Sequence, residues 1–180
     1  MRHRLAPWLC AAFLALSFLP AAAVSASRGP AAGDLAPALL GQDPDGKPVT
    51  LDAYRGPLVV VTFWNSACKY CLAELPTLEN LQQELGNERL QVIAVNVNDN
   101  TRDYKGMVRQ MRDYAMVQSR DATGTVASAW DAQMFPNLWL LDGTGRVLHH
   151  HEGYFEDALP GILAEIRQAA TDAAMAPATP

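Results

Sequence analysis

"PLVVVTFWNSACKYCLAELPTLENLQQEL", residues 57–85, decides how this chain is read. Its first part, Pro57 to Trp64, is an unbroken run of β-branched and aromatic residues. Such a run without polar alternation fits a strand buried on both faces, as in a central parallel sheet. From Lys69 the pattern changes. Leu72, Leu75, Leu78, Leu81 and Leu85 recur at the spacing of a helix with one buried stripe. Gly86 and Asn87 supply its stop. Pro76 lies inside that helix, where it removes a backbone donor and should kink the axis. Asn65-Ser66-Ala67 is the turn between strand and helix, and Asn65 or Ser66 is the expected cap. Cys68 and Cys71 therefore fall in the first helical turn. Three readings stand open for them: a redox pair, two ligands of a metal site, or a structural bond.

Each reading has its own requirement. Disulfide exchange needs an exposed attacking thiolate and a second thiol to resolve the mixed disulfide. A helix N-terminus lowers the pKa of the first thiol, and Lys69 adds a positive charge beside it. The strand–turn–helix order puts Cys68 at the tip and Cys71 one turn inward. A zinc site needs two further ligands. Once an N-terminal signal is set aside, the candidates are His149, His150 and His151. Strand alternation puts His149 and His151 on one face and His150 on the other. Nothing in the spacing requires them to meet the cysteines, and a solvated strand end explains them. A bond closing the four residues Cys68–Cys71 constrains the unfolded chain little, which weighs against a purely structural role.

The ends of the chain bear on the same choice. Arg2 and Arg4 precede an apolar run from Leu5 to Leu19, then Pro20 and small residues to Ala26. That is the pattern of a secretory signal, residues 1–26, cleaved after Ala26 or retained as an anchor. The 15-residue run is short for a membrane span. Cys10 lies within it, without the small residues before it that a lipidated cysteine requires. Loss of this segment leaves 12 basic and 19 acidic residues and takes the net charge from -5 to about -7. Cys68 and Cys71 are then the only cysteines, in an oxidising compartment where a disulfide persists. The acidic balance argues against nucleic acid.

Residues 27–48 read as an exposed lead-in, with "DPDGK", 43–47, as a turn between two short extended pieces. "LQVIAVNVN", 90–98, is a second buried strand, ended by Asp99 and Asn100, which read as caps. Residues 101–115 are helical, with Tyr104, Val108 and Met111 along one side. A short extended piece near 116–119 and a short helix near 124–130 follow. "NLWLLD", 137–142, is a third strand, turned by "DGTGR" into "VLHHH", 147–151. Residues 155–170 form the last helix, and 171–180 a flexible tail. The fold class is α/β: a mixed central sheet, its first two strands parallel through a right-handed crossover, with helices on both faces.

Asp34-Leu35-Ala36-Pro37, the block "DPDGKPVTLDAYRGPLVVVTFWNSACKYCLAELP" and the block "FPNLWLLDGTGRVLHHHEG" together resemble the TlpA-like (ResA/CcmG-type) branch of the thioredoxin superfamily. The resemblance covers roughly residues 33–168 and implies a thioredoxin-like domain over 33–170. It implies an exported, periplasmic thiol-disulfide oxidoreductase, acting on partner proteins in cytochrome c maturation or oxidase assembly. It also implies reduction as the favoured direction, a membrane electron donor upstream, and no cofactor. By resemblance, Cys68 is the nucleophile, Cys71 the resolving thiol and Glu74 a proton-transfer group. Pro76 matches the helix-kinking proline. Pro136 matches the cis-proline whose loop presents Phe135 to a partner, with Lys69 and Tyr70 on the same contact surface. Two departures mark this chain. Ala67 stands where the family usually has Trp, and Tyr70 where it often has Pro. Two rival activities share the fold. A thiol peroxidase would need Pro and Thr around its cysteine, and the stretch before Cys68 offers only Thr62 after Pro57. A copper or zinc carrier would use both cysteines and a histidine, but the copper carriers of this fold typically space their cysteines by three residues.

Overall fold

The computed structural model describes residues 29–153 and 158–175. The segment read as signal or anchor, 1–26, lies outside the described residues. β1 (Leu39–Gln42), β2 (Pro48–Thr50), β3 (Leu58–Trp64), β4 (Leu90–Val97), β5 (Val117–Asp121), β6 (Asn137–Leu141) and β7 (Val147–Glu152) form one sheet in the order β2-β1-β5-β4-β3-β6-β7. β3, β4 and β5 run parallel, and β6, β7, β1 and β2 join antiparallel. This is the mixed sheet expected from the sequence. β3 and β4 are buried at every position, as their unbroken apolar runs require.

Alternation along β3 separates two cores. Leu58, Val60 and Trp64 face α1 (Lys69–Leu85) and α4 (Leu159–Met175), packing with Leu75, Leu78, Leu81 and Ile166. Val59, Val61 and Phe63 face the other side, with Trp130 and with Val126 of α3 (Thr125–Ala129). α2 (Thr101–Gln110) crosses from β4 to β5. α1 continues through Pro76 to Leu85, and Gly86, at φ 82°, ends it with its N–H on the Gln82 carbonyl. Only a residue at ease with positive φ ends a helix this way.

Three expectations change. Residues 27–48 are not merely a lead-in: Leu39–Gln42 pairs with β5 and carries the fully buried Leu40. The last helix outruns 170, and 171–175, read as tail, are its final turn. The histidine strand end is exposed at His149 and His150, as expected, but its rings have partners the sequence did not show. His149 Nδ1 and His151 Nε2 lie 2.7 and 2.6 Å from the two carboxylate oxygens of Glu165 on α4. On the opposite face, His150 stacks on Trp139 with ring centroids 3.6 Å apart. The alternation was legible, but the partner on α4 was not.

One buried acid ties two elements together. Glu79 of α1, 2% exposed, accepts the backbone N–H of Ala115 at 2.8 Å and of Met116 at 3.1 Å, which fixes the entry to β5. Glu79→Ala strands the buried Met116 donor and removes the partner of the part-buried Ala115 donor. We expect it to lower stability by about 2–4 kcal/mol, read from the urea midpoint of the oxidised protein, with Glu79→Gln intermediate.

Candidate active site

β3 ends at Trp64 and its neighbours end beside it. Trp64 pairs with Asn96 on β4, and Phe63 with Asn137 on β6. The 65–68 turn and the loop before Asn137 therefore leave the sheet at one end, on adjacent strands. The turn is organised by Asn65, but not as a cap. Asn65 Oδ1 accepts the N–H of Ala67 and its carbonyl accepts that of Cys68, both at 3.1 Å. The cap is Cys68 itself, whose Sγ accepts the N–H of Cys71 at 3.1 Å. Neither Asn65 nor Ser66 caps the helix, which corrects the expectation. A sulfur in that position meets an unpaired helix donor, a setting that favours the thiolate.

Cys68 and Cys71 form a disulfide. The two sulfur-bearing residues are unequal: Cys71 is 1% exposed, while Cys68 is only partly buried. Cys68 is therefore the half of the disulfide that solvent reaches. Lys69 Nζ stands 5.8 Å above the ring of Tyr70, which is 45% exposed beside the disulfide.

One turn beyond Cys71, Glu74 is buried at 4% exposure. Residues at i and i+3 share a helix face, so its carboxyl and the Cys71 sulfur lie on the same side. Thr62 Oγ1, from the α1 face of β3, donates to Glu74 Oε1 at 2.9 Å. Burial pushes the Glu74 carboxyl up to about 7, against the opposing pull of the Thr62 hydrogen bond. A carboxyl of that value exchanges a proton at neutral pH. Sequence reasoning picked out Glu74 and named Thr62 only against a peroxidase, not as Glu74's partner. Its signal was there: one hydroxyl in an apolar run, on the side that faces the helix.

The Phe135–Pro136 peptide is cis. Pro136 is buried, and its carbonyl accepts the Gly153 N–H at 2.9 Å. Asn137, fully buried, accepts from Trp139 Nε1 at 2.6 Å and lies 3.2 Å from His150 Nε2, which anchors the strand behind the loop. Phe135 is half-buried between the two cores and borders a cavity of about 350 Å³. Met134, 59% exposed, is an apolar side chain next in sequence to Phe135 that the sequence reading did not single out.

A mixed sheet of this topology with a Cys-x-x-Cys disulfide at the strand–helix junction defines a thioredoxin-like thiol-disulfide oxidoreductase. The AhpC/TSA family matches residues 32–150, and the chain belongs to that family. It is 30% identical over 156 residues to a "thiol:disulfide interchange protein DsbE homolog" of Paracoccus denitrificans, covering 73% of this chain and 84% of the relative. It is 26% identical over 121 residues to the "thiol-disulfide oxidoreductase ResA" of Bacillus thuringiensis, covering 67% and 69%. Among solved structures, a thiol:disulfide interchange protein of DsbE type from Chlorobium tepidum superposes with TM-score 0.71 at 25% identity, covering 79% of this chain and 99% of that one.

The Glu74 carboxyl makes stability depend on pH. Its folded value of about 7 stands above its ordinary 4.5, so the folded state holds the proton more tightly between those values. Stability therefore falls as pH rises through that window and levels off above it, by about 3 kcal/mol in all. Urea midpoints of the oxidised protein across this range should show the fall, and Glu74→Gln should abolish it. Parallel pH profiles for the two proteins would contradict the assignment.

Proposed function

We propose that this chain is exported to the periplasm and reduces disulfides in partner polypeptides, as a cytochrome c maturation or oxidase-assembly reductant does. The observation that carries the reading is the asymmetry of the disulfide: one reachable sulfur, one buried sulfur, and a carboxyl near pH 7 on the buried side. Export is supported by the charged, apolar and small-residue order of residues 1–26. The direction follows the TlpA-like resemblance.

In the reduced protein the Cys68 thiolate attacks one sulfur of a partner disulfide. A Cys68–partner bond forms, the partner's S–S bond breaks, and its second sulfur leaves as a thiolate. Glu74 then takes the proton of Cys71. The Cys71 thiolate attacks Cys68 Sγ, closing the internal disulfide and releasing the partner's first sulfur. Two electrons have passed to the partner, and two protons reach its thiols from Glu74 and water. A dithiol donor, presented at the membrane, must return those electrons. Phe135 and Pro136 offer the backbone along which the partner segment lies, and Lys69 and Tyr70 border its approach. The working domain spans 33–170, and the exposed helical turn to Met175 extends beyond it.

Cys71→Ser removes the resolving thiol. We expect it to accumulate a mixed disulfide through Cys68 with periplasmic partners, separable on non-reducing gels and identified by mass spectrometry. Cys68→Ser should trap nothing. Equal adducts from both variants, or none from either, would overturn the reading.

A further inference from the structure

We infer that Asp99 is a positioning residue for Cys68: its carboxylate is the tie that fixes the Cys68 turn to the sheet. The three residues between strand and helix carry few anchors of their own. The N–H groups of Ala67 and Cys68 both bond within the turn, to the side chain and carbonyl of Asn65. The N–H of Ser66 alone reaches outward, to Asp99 Oδ2 at 2.9 Å, across 33 residues of sequence. Bonds inside the turn set its shape. The bond to Asp99 sets where that shape sits.

Asp99 is itself held from two strands. Asn96 Nδ2 donates to the same Oδ2 at 2.7 Å, and Asn96 is the β4 residue paired with Trp64. Arg120 Nη2, from β5, donates to the Asp99 carbonyl at 2.8 Å, with its guanidinium 5.4 Å from the ring centroid of the buried Tyr104. Asp99 is not needed for the role its position suggests. Asn100 caps α2, accepting the Asp103 N–H at 3.0 Å, which leaves the Asp99 side chain for the neighbouring turn.

The consequence falls on Cys68 because its sulfur depends on one helix donor, the Cys71 N–H. A turn released from Asp99 presents that donor less well, and the thiolate loses stabilisation. The inference rests on Cys68 being the attacking thiol of the proposed reaction. Two substitutions separate tie from charge. Asp99→Asn keeps an oxygen acceptor for Ser66 and Asn96 and removes the charge, whereas Asp99→Ala removes both.

The test is the pH dependence of iodoacetamide alkylation of the reduced protein, with the modified cysteine located by mass spectrometry. We expect Asp99→Ala to alkylate Cys68 roughly two- to tenfold more slowly at pH 7 than Asp99→Asn, through a raised apparent pKa. Its Ser66 amide should exchange with solvent faster, and its far-UV spectrum should match wild type. Asp99→Asn should stay at the wild-type rate or above it. Equal rates for the two variants would overturn the inference, whether both match wild type or both are slow. If Asp99→Ala does not fold, Asp99→Ser, too short to hold Ser66, reads the same quantity. Alkylation that favours Cys71 in wild type would instead reject the proposed function, independently of Asp99.

Discussion

β3 is hydrogen-bonded along both edges and buried on both faces, and every functional group takes its place from that one strand. Its register against β4 sets Trp64 beside Asn96, which brings Asp99 to the Cys68 turn. Its register against β6 sets Phe63 beside Asn137, which brings Pro136 to the same end. Its alternation puts Thr62 on the α1 side, under Glu74. A slip of one residue would turn Thr62 to the wrong face and part all three relations at once.

The buried carboxyl is the costly element of this arrangement. An ionised Glu74 in an apolar core, with one hydroxyl as partner, is poorly solvated, so it takes up a proton more readily than a surface glutamate. The fold accepts lower stability at neutral pH in return for a titratable carboxyl on the helix face of a buried sulfur. Glu79 lies one and a half turns further on, equally buried, yet its two oxygens meet two backbone donors. Two buried glutamates on one helix thus do different work. What separates them is the number of donors each carboxylate meets.

Much of this was readable from local pattern. The buried strands, the leucine stripe, the Gly86 stop and the cysteine spacing depend on neighbours in sequence, and they appear where that logic places them. The sequence reading failed where a residue's partner is remote. Glu165 of α4 draws His149 and His151 toward the helix, Thr62 meets Glu74 only after α1 folds back, and Leu40 is buried only once β1 joins β5. The cap was misread for a different reason. Asn65 is a good cap residue, but its side chain is used within the turn, and a sulfur does the capping instead. Asp99 and Asn100 show the same limit. Both suit a helix start, and only the packing decides that Asn100 caps while Asp99 reaches away.

β7 is the last strand, at the rim of the sheet; Val147 at its start bonds the Gly33–Asp34 segment, and no further strand follows among the described residues. Such a rim is a template on which a second chain can build. The register of β7 against β6 shifts between Leu140 and Leu141, so a bulge at Leu148 breaks the regular spacing a new strand would need. The next four residues are His149, His150, His151 and Glu152. With two of these imidazoles clamped to Glu165 and the third flat on Trp139, the rim is crowded on both sides by polar rings held in place. The register shift makes this rim a less regular template for a second chain.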